Sequence, residues 1–474
     1  MNIKISDYLN KVKPIMNNLL NELLKEFDYV SILGTDSMGK DYSVSKNSIN
    51  IGDGSFNERG FVIRVYNGIN YSEYAFNKIE EDEIERLVDK IKDTAKFLGN
   101  ITNDMDAKEY ELLVEEKMRF SKTAEIEIDP KELGDEKIVD ELIKIKDIGL
   151  GFNEKIIECK AVYKYLKVNK IFLSPNKDLE QSFMWGNGMC ICISTDERGN
   201  KMGRRASSGA KGAELLQDMK EDIVVAAKEA VELLSAERIE PGEYDVICTP
   251  DITGLITHEA FGHGVEMDMF VKDRAKSKDY IGKYVASNLV TMHDGARALL
   301  ESGSYFFDDE GAIASDTIVI KDGMLESGIN DGLTALALNK KQTGNGRRQS
   351  FDRKAYTRMT NTFIERGSSK LEDMISSIKY GFLIDGCESG MEDPKNWGIQ
   401  CMITLAKEIK DGKFTGRIFS PIIMTGYVPD LLKSISMVSD DFGISGAGYC
   451  GKGYKEWVKV SDGGPFIKCK ARLG

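Results

Sequence analysis

Two of the three histidines in this 474-residue chain lie five residues apart inside one helix-forming segment, and that spacing restricts the local fold more than any other feature. The segment is Thr249–Glu266, TPDITGLITHEAFGHGVE. Thr249 can cap a helix, and Pro250 suits the first helical position, where its missing N–H is unused. Ile252, Leu255 and Ile256 supply an apolar face. His258 and Glu259 follow two turns in, and then His263. The zinc-protease spacing HExxH holds its histidines about 40° apart around a helix. Here the spacing is HExxxH, and five residues at about 100° each put the rings roughly 140° apart. Both rings can reach one ion only if the helix gains a residue in a π-bulge, or ends at Gly262 just before His263. Imidazole is a common zinc ligand, and a Glu beside such a ligand can take a proton from water. A catalytic site needs a third ligand, which spacing does not identify: Glu266, Asp268 and any cysteine are open.

The rest of the chain is ordered around this segment. At about 150 residues per domain its length allows two or three domains. Residues 6–27 read as a helix with Leu19, Leu20, Leu23 and Leu24 on one stripe, and Pro14 predicts a break or a fresh start within it. Tyr42–Ile51 and Gly60–Tyr66 read as extended. Glu83–Leu98 is amphipathic, with Ile84, Leu87, Val88 and Ile91 on one face and Gly99 closing it. A second stretch begins near Pro130, with a short helix through Ile138, Leu142 and Ile145. An alternating strand through Ile157, Cys159, Ala161, Tyr163 and Tyr165 follows. Gln181–Thr195 can pair with that strand, and a helix spans about Ala210–Arg238. Pro241-Gly242 marks the domain boundary. Beyond it, Tyr244–Cys248 is a short strand, and Asp322-Gly323 and Asp411-Gly412 each predict a hairpin by supplying the positive φ of a type I′ turn. The expected fold class is α+β: a mixed helix/sheet first half, 1–240, possibly divided near 105, then a β-rich, barrel-like or curved-sheet domain, 241–474, that carries the histidine helix.

Composition narrows the function classes. The formal net charge of −13, from 64 basic and 77 acidic residues, disfavours a general nucleic-acid surface. No apolar run approaches the ~18 residues of a membrane helix. The first residues lack the apolar core of a secretory signal, so a cytoplasmic protein is expected. The eight cysteines form no CxxC pair and read mostly as buried hydrophobes. Two familiar patterns fail on context. Gly34–Asp41 nearly spells a P-loop, but Asp41 stands where Ser/Thr should bind magnesium, and extended sequence follows in place of a helix. Gly446–Gly451 matches GxGxxG without a βαβ setting, and its glycines are expected to let backbone pass close to Cys450.

Several blocks together resemble the TldD/PmbA family of zinc peptidases, on its TldD-like side. They are HEAFGHGVEMD (258–268), YFFDDEG (305–311), TGNGRR (343–348), RMTNTFIERG (358–367), GYCGKG (448–453) and SDGGP (461–465), with a weaker likeness at ERGFVIRVYNG (58–68). The resemblance implies that Cys450 joins His258 and His263 as the third ligand of one Zn2+ per chain, and that Glu259 is the general base. It implies peptide or unfolded-polypeptide substrates lying extended against a sheet edge, and a dimer, either of this chain with itself or with a PmbA-like paralogue. Arg347, Arg348 and Arg358 become candidates to hold peptide carboxylates or carbonyls, and Asn345 and Asn361 to bond a peptide backbone. His293 lies outside the family's ligand set. Gly386–Trp397 departs from the TldD-like pattern and is expected to line the cavity and alter substrate choice. The rival readings are a zinc-stabilised peptide-binding or scaffold protein without catalysis, and a metallo-amidase acting on a non-peptide substrate.

Overall fold

The computed structural model describes residues 1–104, 109–453 and 456–474. The first sheet has eight strands. Its spine is three long strands, Val30–Val44, Ile156–Leu173 and Lys177–Asp196, each antiparallel to the next. Glu58–Tyr66 and then Tyr71–Phe76 extend the Val30 side. Gly199–Gly209 and Met118–Thr123 pair with Lys177–Asp196. The P-loop-like Gly34–Asp41 lies inside the strand Val30–Val44, so no helix N-terminus meets it.

Two cores serve this sheet. The helix Asp7–Leu23 buries Leu9, Met16, Leu19 and Leu23 against Ile32, Ile63 and Ile171. The helices Asp135–Leu150 and Leu215–Glu232 bury Leu142, Ile145, Met219 and Ile223 beside Cys159, Tyr163 and Cys190. At about 1.5–3 kcal/mol per buried large aliphatic side chain, such stripes outweigh weak local signals. Pro14 illustrates this: the helix runs through it without a break, because burial of the stripe on both sides outweighs the one hydrogen bond that proline cannot donate. For the second helix, the backbone continues through Gly99 to Asp104. One sheet takes strands from both sides of residue 105, which itself lies outside the described residues.

The second sheet has eleven strands, beginning at Gly242. Five of them close on themselves. Gly242–Cys248 pairs with Tyr380–Asp393, that with Gly398–Lys410, then Ile422–Tyr427, then Ser461–Leu473, which returns to Gly242–Cys248. The fold is thus α+β with a five-stranded barrel-like sheet in the second half. Both Asp-Gly turns form as expected, with φ of 47° and 84° at Asp322-Gly323 and 48° and 75° at Asp411-Gly412. Beyond the ring the sheet runs through Asn361–Ile364 and Met292–Asp294 to the hairpin Thr317–Lys321/Met324–Leu325.

The histidine segment leaves the ring directly. Gly242–Cys248 ends, and the helix Pro250–Leu255 starts with Pro250 at its first turn. The expected Thr249 cap is absent: its hydroxyl bonds the Asp385 carboxylate at 2.8 Å instead. Ile252, Leu255, Ile256, Ala260 and Phe261 share one core with Val246, Trp397, Ile403 and Ile467. The segment is therefore anchored by the same burial that closes the ring.

Candidate metal centre

After Leu255 the helix widens. Ile256–Gly262 is a π-helix, and His263–Val265 follows as a 3-10 turn. A π turn gives the fifth residue the place that the fourth has in an α-helix, so His258 and His263 come to one face. Their ring centroids lie 5.2 Å apart at 88°. Cys450 comes from far along the chain, on the hairpin Tyr449–Lys452/Glu456–Lys459. One ligand atom from each of His258, His263 and Cys450 lies within 4.8 Å of the others, and Cys450 Sγ is 3.6 Å from His263 Nε2. The Glu259 carboxylate faces the same space, with Oε2 3.9 Å from His263 Nε2.

The surroundings orient these groups. His263 Nδ1 is 3.2 Å from Glu266 Oε2. Lys452 Nζ bonds Glu266 at 3.0 Å, Asp268 at 2.7 Å and the Thr357 carbonyl at 3.0 Å. Burial works to raise the Glu266 carboxyl, but Lys452 and His263 hold it well below the usual carboxylate range. Glu266 and Asp268, open as ligands in the sequence, are thus committed to Lys452. His258 Nδ1 is buried without a hydrogen-bond partner, and Asp462 Oδ2 is 4.0 Å away. Burial pushes the Asp462 carboxyl up to about 7, against the pull of His258.

The donor set fits a soft divalent cation. Burial alone would raise the Cys450 thiol, but His263 and His258 bring it well below the usual cysteine value. Burial likewise opposes protonation of the two imidazoles, yet the thiolate lifts His258 to about 9 and His263 well above its ordinary value. The thiolate and the two imidazoles thus favour each other's charged forms, and a divalent ion would compete with protons for the same atoms. Imidazole and thiolate are both ligand types that zinc takes, and three such ligands would leave a fourth position free.

The other sequence candidates are placed differently. Arg358 is 1% exposed and donates to the Cys450 carbonyl at 2.5 Å and the Glu456 carbonyl at 2.7 Å, so it braces the ligand hairpin. Arg347 donates to the carbonyls of Met359 and Lys459, both at 2.6 Å. Arg348 is ion-paired with Glu73. Asn345 bonds Asp294 and the Arg358 carbonyl, and Asn361 bonds the carbonyls of Gly295 and Leu299 and the Ser304 hydroxyl. Each of these side chains therefore has partners within the chain, while Arg348 Nε and Arg358 Nε have none among the described residues. His293 lies away from the cluster, between Asp316 and Glu365, at 2.7 Å from each.

Gly386–Trp397 does reach the centre. A side chain at Gly390 would meet Glu259 Cγ at 2.7 Å. Glu392 lies against Gly264, and burial raises its carboxyl well above the usual value. Sequence reading passed over Glu392, Asp462 and Lys452, because no local pattern links them to the histidines. A cavity of about 400 Å3 opens beside Asp462, lined by Arg204, Arg205, Asp251 and the strand end Gly443–Ser445. That strand, Met437–Ser445, has one ladder partner among the described residues, Ser461–Leu473.

Comparison with known proteins places this geometry. A family model described as the PmbA/TldA metallopeptidase C-terminal domain matches residues 241–470. The chain is similar to metalloprotease MJ0996 of Methanocaldococcus jannaschii, 28% identical over 441 residues, covering 90% of this chain and 94% of that protein. It is also similar to a metalloprotease TldD homolog of Buchnera aphidicola subsp. Schizaphis graminum, 32% identical over 292 residues and 59% of each chain. Among solved structures, TldE from Thermococcus kodakarensis superposes with a TM-score of 0.75, covering 96% of this chain and 99% of that one at 19% identity. That likeness is one of fold.

Proposed function

The chain belongs to the TldD/PmbA family, and on that premise we propose that it is a zinc-dependent peptidase acting on peptides or unfolded segments. The observation that carries the proposal is the meeting of His258, His263 and Cys450 within 4.8 Å, beside the Glu259 carboxylate. In this reading the three side chains hold one Zn2+. When bound, zinc supplies Lewis acidity toward a carbonyl and a water more acidic than bulk. Glu259 takes up a proton from the attacking water at Oε2 and passes it to the leaving amine. Glu266 holds the His263 ring by its Nδ1, and Lys452 keeps Glu266 ionised at working pH. Arg358 fixes the backbone on both arms of the hairpin that carries Cys450.

The proposed substrate path is the cavity beside Asp462. The outer edge of Gly443–Ser445 offers main-chain donors and acceptors to an extended peptide, which gives affinity with loose sequence preference. Asp251, Asp462, Arg204 and Arg205 all line the cavity, so groups of both charge signs are on offer to a peptide. The proposed assembly is a pair, of this chain with itself or with a PmbA-like paralogue, and the fold shared with TldE supports the second. No helix among the described residues is long and apolar enough to cross a membrane, and a cytoplasmic setting is part of the proposal.

The test is zinc content after dialysis, followed by hydrolysis of an unfolded polypeptide. About one zinc per wild-type chain, lost in Cys450→Ala, is the expected result. Glu259→Gln should keep the zinc and lose hydrolysis. A wild-type chain that holds zinc yet cleaves neither peptides nor small amides would instead be a zinc-stabilised binding protein, and one that cleaves only small amides a metallo-amidase.

A further inference from the structure

The hairpin that carries Cys450 has two faces. Tyr449 pairs with Lys459 and Cys450 with Val458, so alternate residues point to opposite sides. Cys450 faces the histidines. On the other side Tyr449, Trp457 and Lys459 close a cavity of about 90 Å3 against Phe56 and Trp185, which belong to the first unit.

Lys459 is the unusual member. Its side chain is buried, and its Nζ has no hydrogen-bond partner among the described residues. The ammonium position lies 4.5 Å from the centre of the Tyr449 ring and 4.7 Å from that of Trp185. Tyr449 is itself stacked on Phe56 at 4.8 Å and 15°, so the box is rigid. The other charged groups lining the cavity are already engaged. Lys170 is paired with Asp309, and Arg348 with Glu73. Arg347 bonds two carbonyls. Asp308 accepts from the amides of Glu310, Ala312 and Gly346, and Glu58 from that of Phe351. Burial lowers the Lys459 amine to about 7, and Glu301 only partly offsets it.

A buried amine without an acceptor is costly to keep and needs a reason. Aromatic faces stabilise its charge but accept no strong hydrogen bond. An acceptor brought by a ligand would complete the site, and an anionic oxygen would do so best. At roughly 10–15 Å3 per water-sized probe sphere, the cavity of about 90 Å3 has room for a group of roughly six to nine heavy atoms. Apolar walls with one polar anchor are the usual make-up of a small-ligand site.

We propose that this cavity binds a small carboxylate group, held by the Lys459 ammonium within the Tyr449–Trp185 aromatic box, on the face of the hairpin opposite Cys450. The carboxylate is that of a small free acid or the C-terminus of a peptide. The site is separate from the metal centre and does not depend on its chemistry.

The test is titration of the full-length, zinc-loaded protein with sodium propionate, and with two otherwise identical tetrapeptides, one a free acid and one C-terminally amidated. Tryptophan fluorescence and calorimetry report binding, since Trp185 and Trp457 line the cavity. Saturable binding of propionate is expected, weakened tenfold or more in Lys459→Met. That variant removes an unpaired buried amine and should fold at least as stably, which circular dichroism and thermal unfolding check. Lys459→Arg, which keeps the charge, should retain part of the binding. Tighter binding of the free-acid peptide than of propionate, with none of the amide, assigns the site to a peptide terminus. Propionate without either peptide assigns it to a free acid. No saturable binding of any probe, or equal binding by wild type and Lys459→Met, overturns the proposal.

Discussion

His263 turns its Nδ1 toward the Glu266 carboxylate at 3.2 Å, while its Nε2 lies 3.6 Å from Cys450 Sγ. One ring therefore faces a soft donor on one side and a buried, ionised acceptor on the other. A carboxylate on the far nitrogen fixes both the tautomer and the orientation of a ligating histidine. Glu266→Gln keeps the shape but removes the charge. It should weaken zinc binding about 10–100-fold, the range for loss of such a supporting partner. Competition with a chromophoric chelator measures this, and unchanged affinity would remove Glu266 from the site's support.

Gly262 ends the π turn directly before His263. A β-carbon there would lie 2.2 Å from Met359 Sδ and 2.9 Å from the Thr257 carbonyl. Met359 can yield, but the carbonyl belongs to the π turn itself. Gly262→Ala should therefore destabilise the protein by about 1–3 kcal/mol, as overpacked core sites do. It should also lower zinc occupancy, because the shift falls on the link between the two histidines. Urea unfolding together with zinc analysis tests both effects. A variant as stable as wild type with full zinc would show that the turn tolerates the extra carbon.

The sequence exposed the local features of this centre and hid the distant ones. The five-residue histidine spacing narrowed the segment to a π-bulge or a helix end at Gly262, because helix periodicity sets where a ring points, and the structure takes the first. The Asp-Gly turns were legible for the same reason: positive φ is a local requirement. Cys450 was not, since 187 residues separate it from His263 and only family resemblance tied the two together. Pro14 misled because tertiary burial decided it inside a packed helix, whereas the extended sequence after Gly34–Asp41 rightly set the P-loop reading aside. Arg347, Arg348 and Arg358 were read as substrate candidates, and the contacts each makes within the chain are with residues distant in sequence, which composition cannot show.

The two units are joined by ion pairs that pH can address. Glu73, on the first sheet, bonds Arg64 and reaches across to Arg348, while Arg64 also pairs with Glu310 of the second unit. Burial alone would raise the Glu73 carboxyl, but Arg64 and Arg348 lower it from 4.5 to about 2. A depressed carboxyl adds stability above its unfolded pKa and loses it as pH falls toward the folded one. The Glu73 contribution should thus be complete above about pH 4.5 and fade toward pH 2, amounting to about 3 kcal/mol. Measured against Glu73→Gln, the stability difference should shrink across that window. A difference that stays constant from pH 6 to pH 3 would refute the assignment.

Arg358 reaches both arms of the Cys450 hairpin, through the carbonyls of Cys450 and Glu456, from a position 1% exposed. Three of the expectations for this site meet there: the arginine, the cysteine and the glycine-rich block around them. If the guanidinium is a brace and not a substrate clamp, Arg358→Met should act through the metal. It leaves two buried carbonyls short of donors, at a cost of about 1–3 kcal/mol each. The hairpin should loosen, and zinc should dissociate faster from the variant than from wild type. Peptide hydrolysis should then fall mainly in kcat per chain and recover when excess zinc is supplied, with KM little changed. A substrate clamp would give the opposite split, with full zinc occupancy, a raised KM and no rescue by zinc. Arg358→Lys, which can reach only one carbonyl at a time, should fall between wild type and Met in zinc retention.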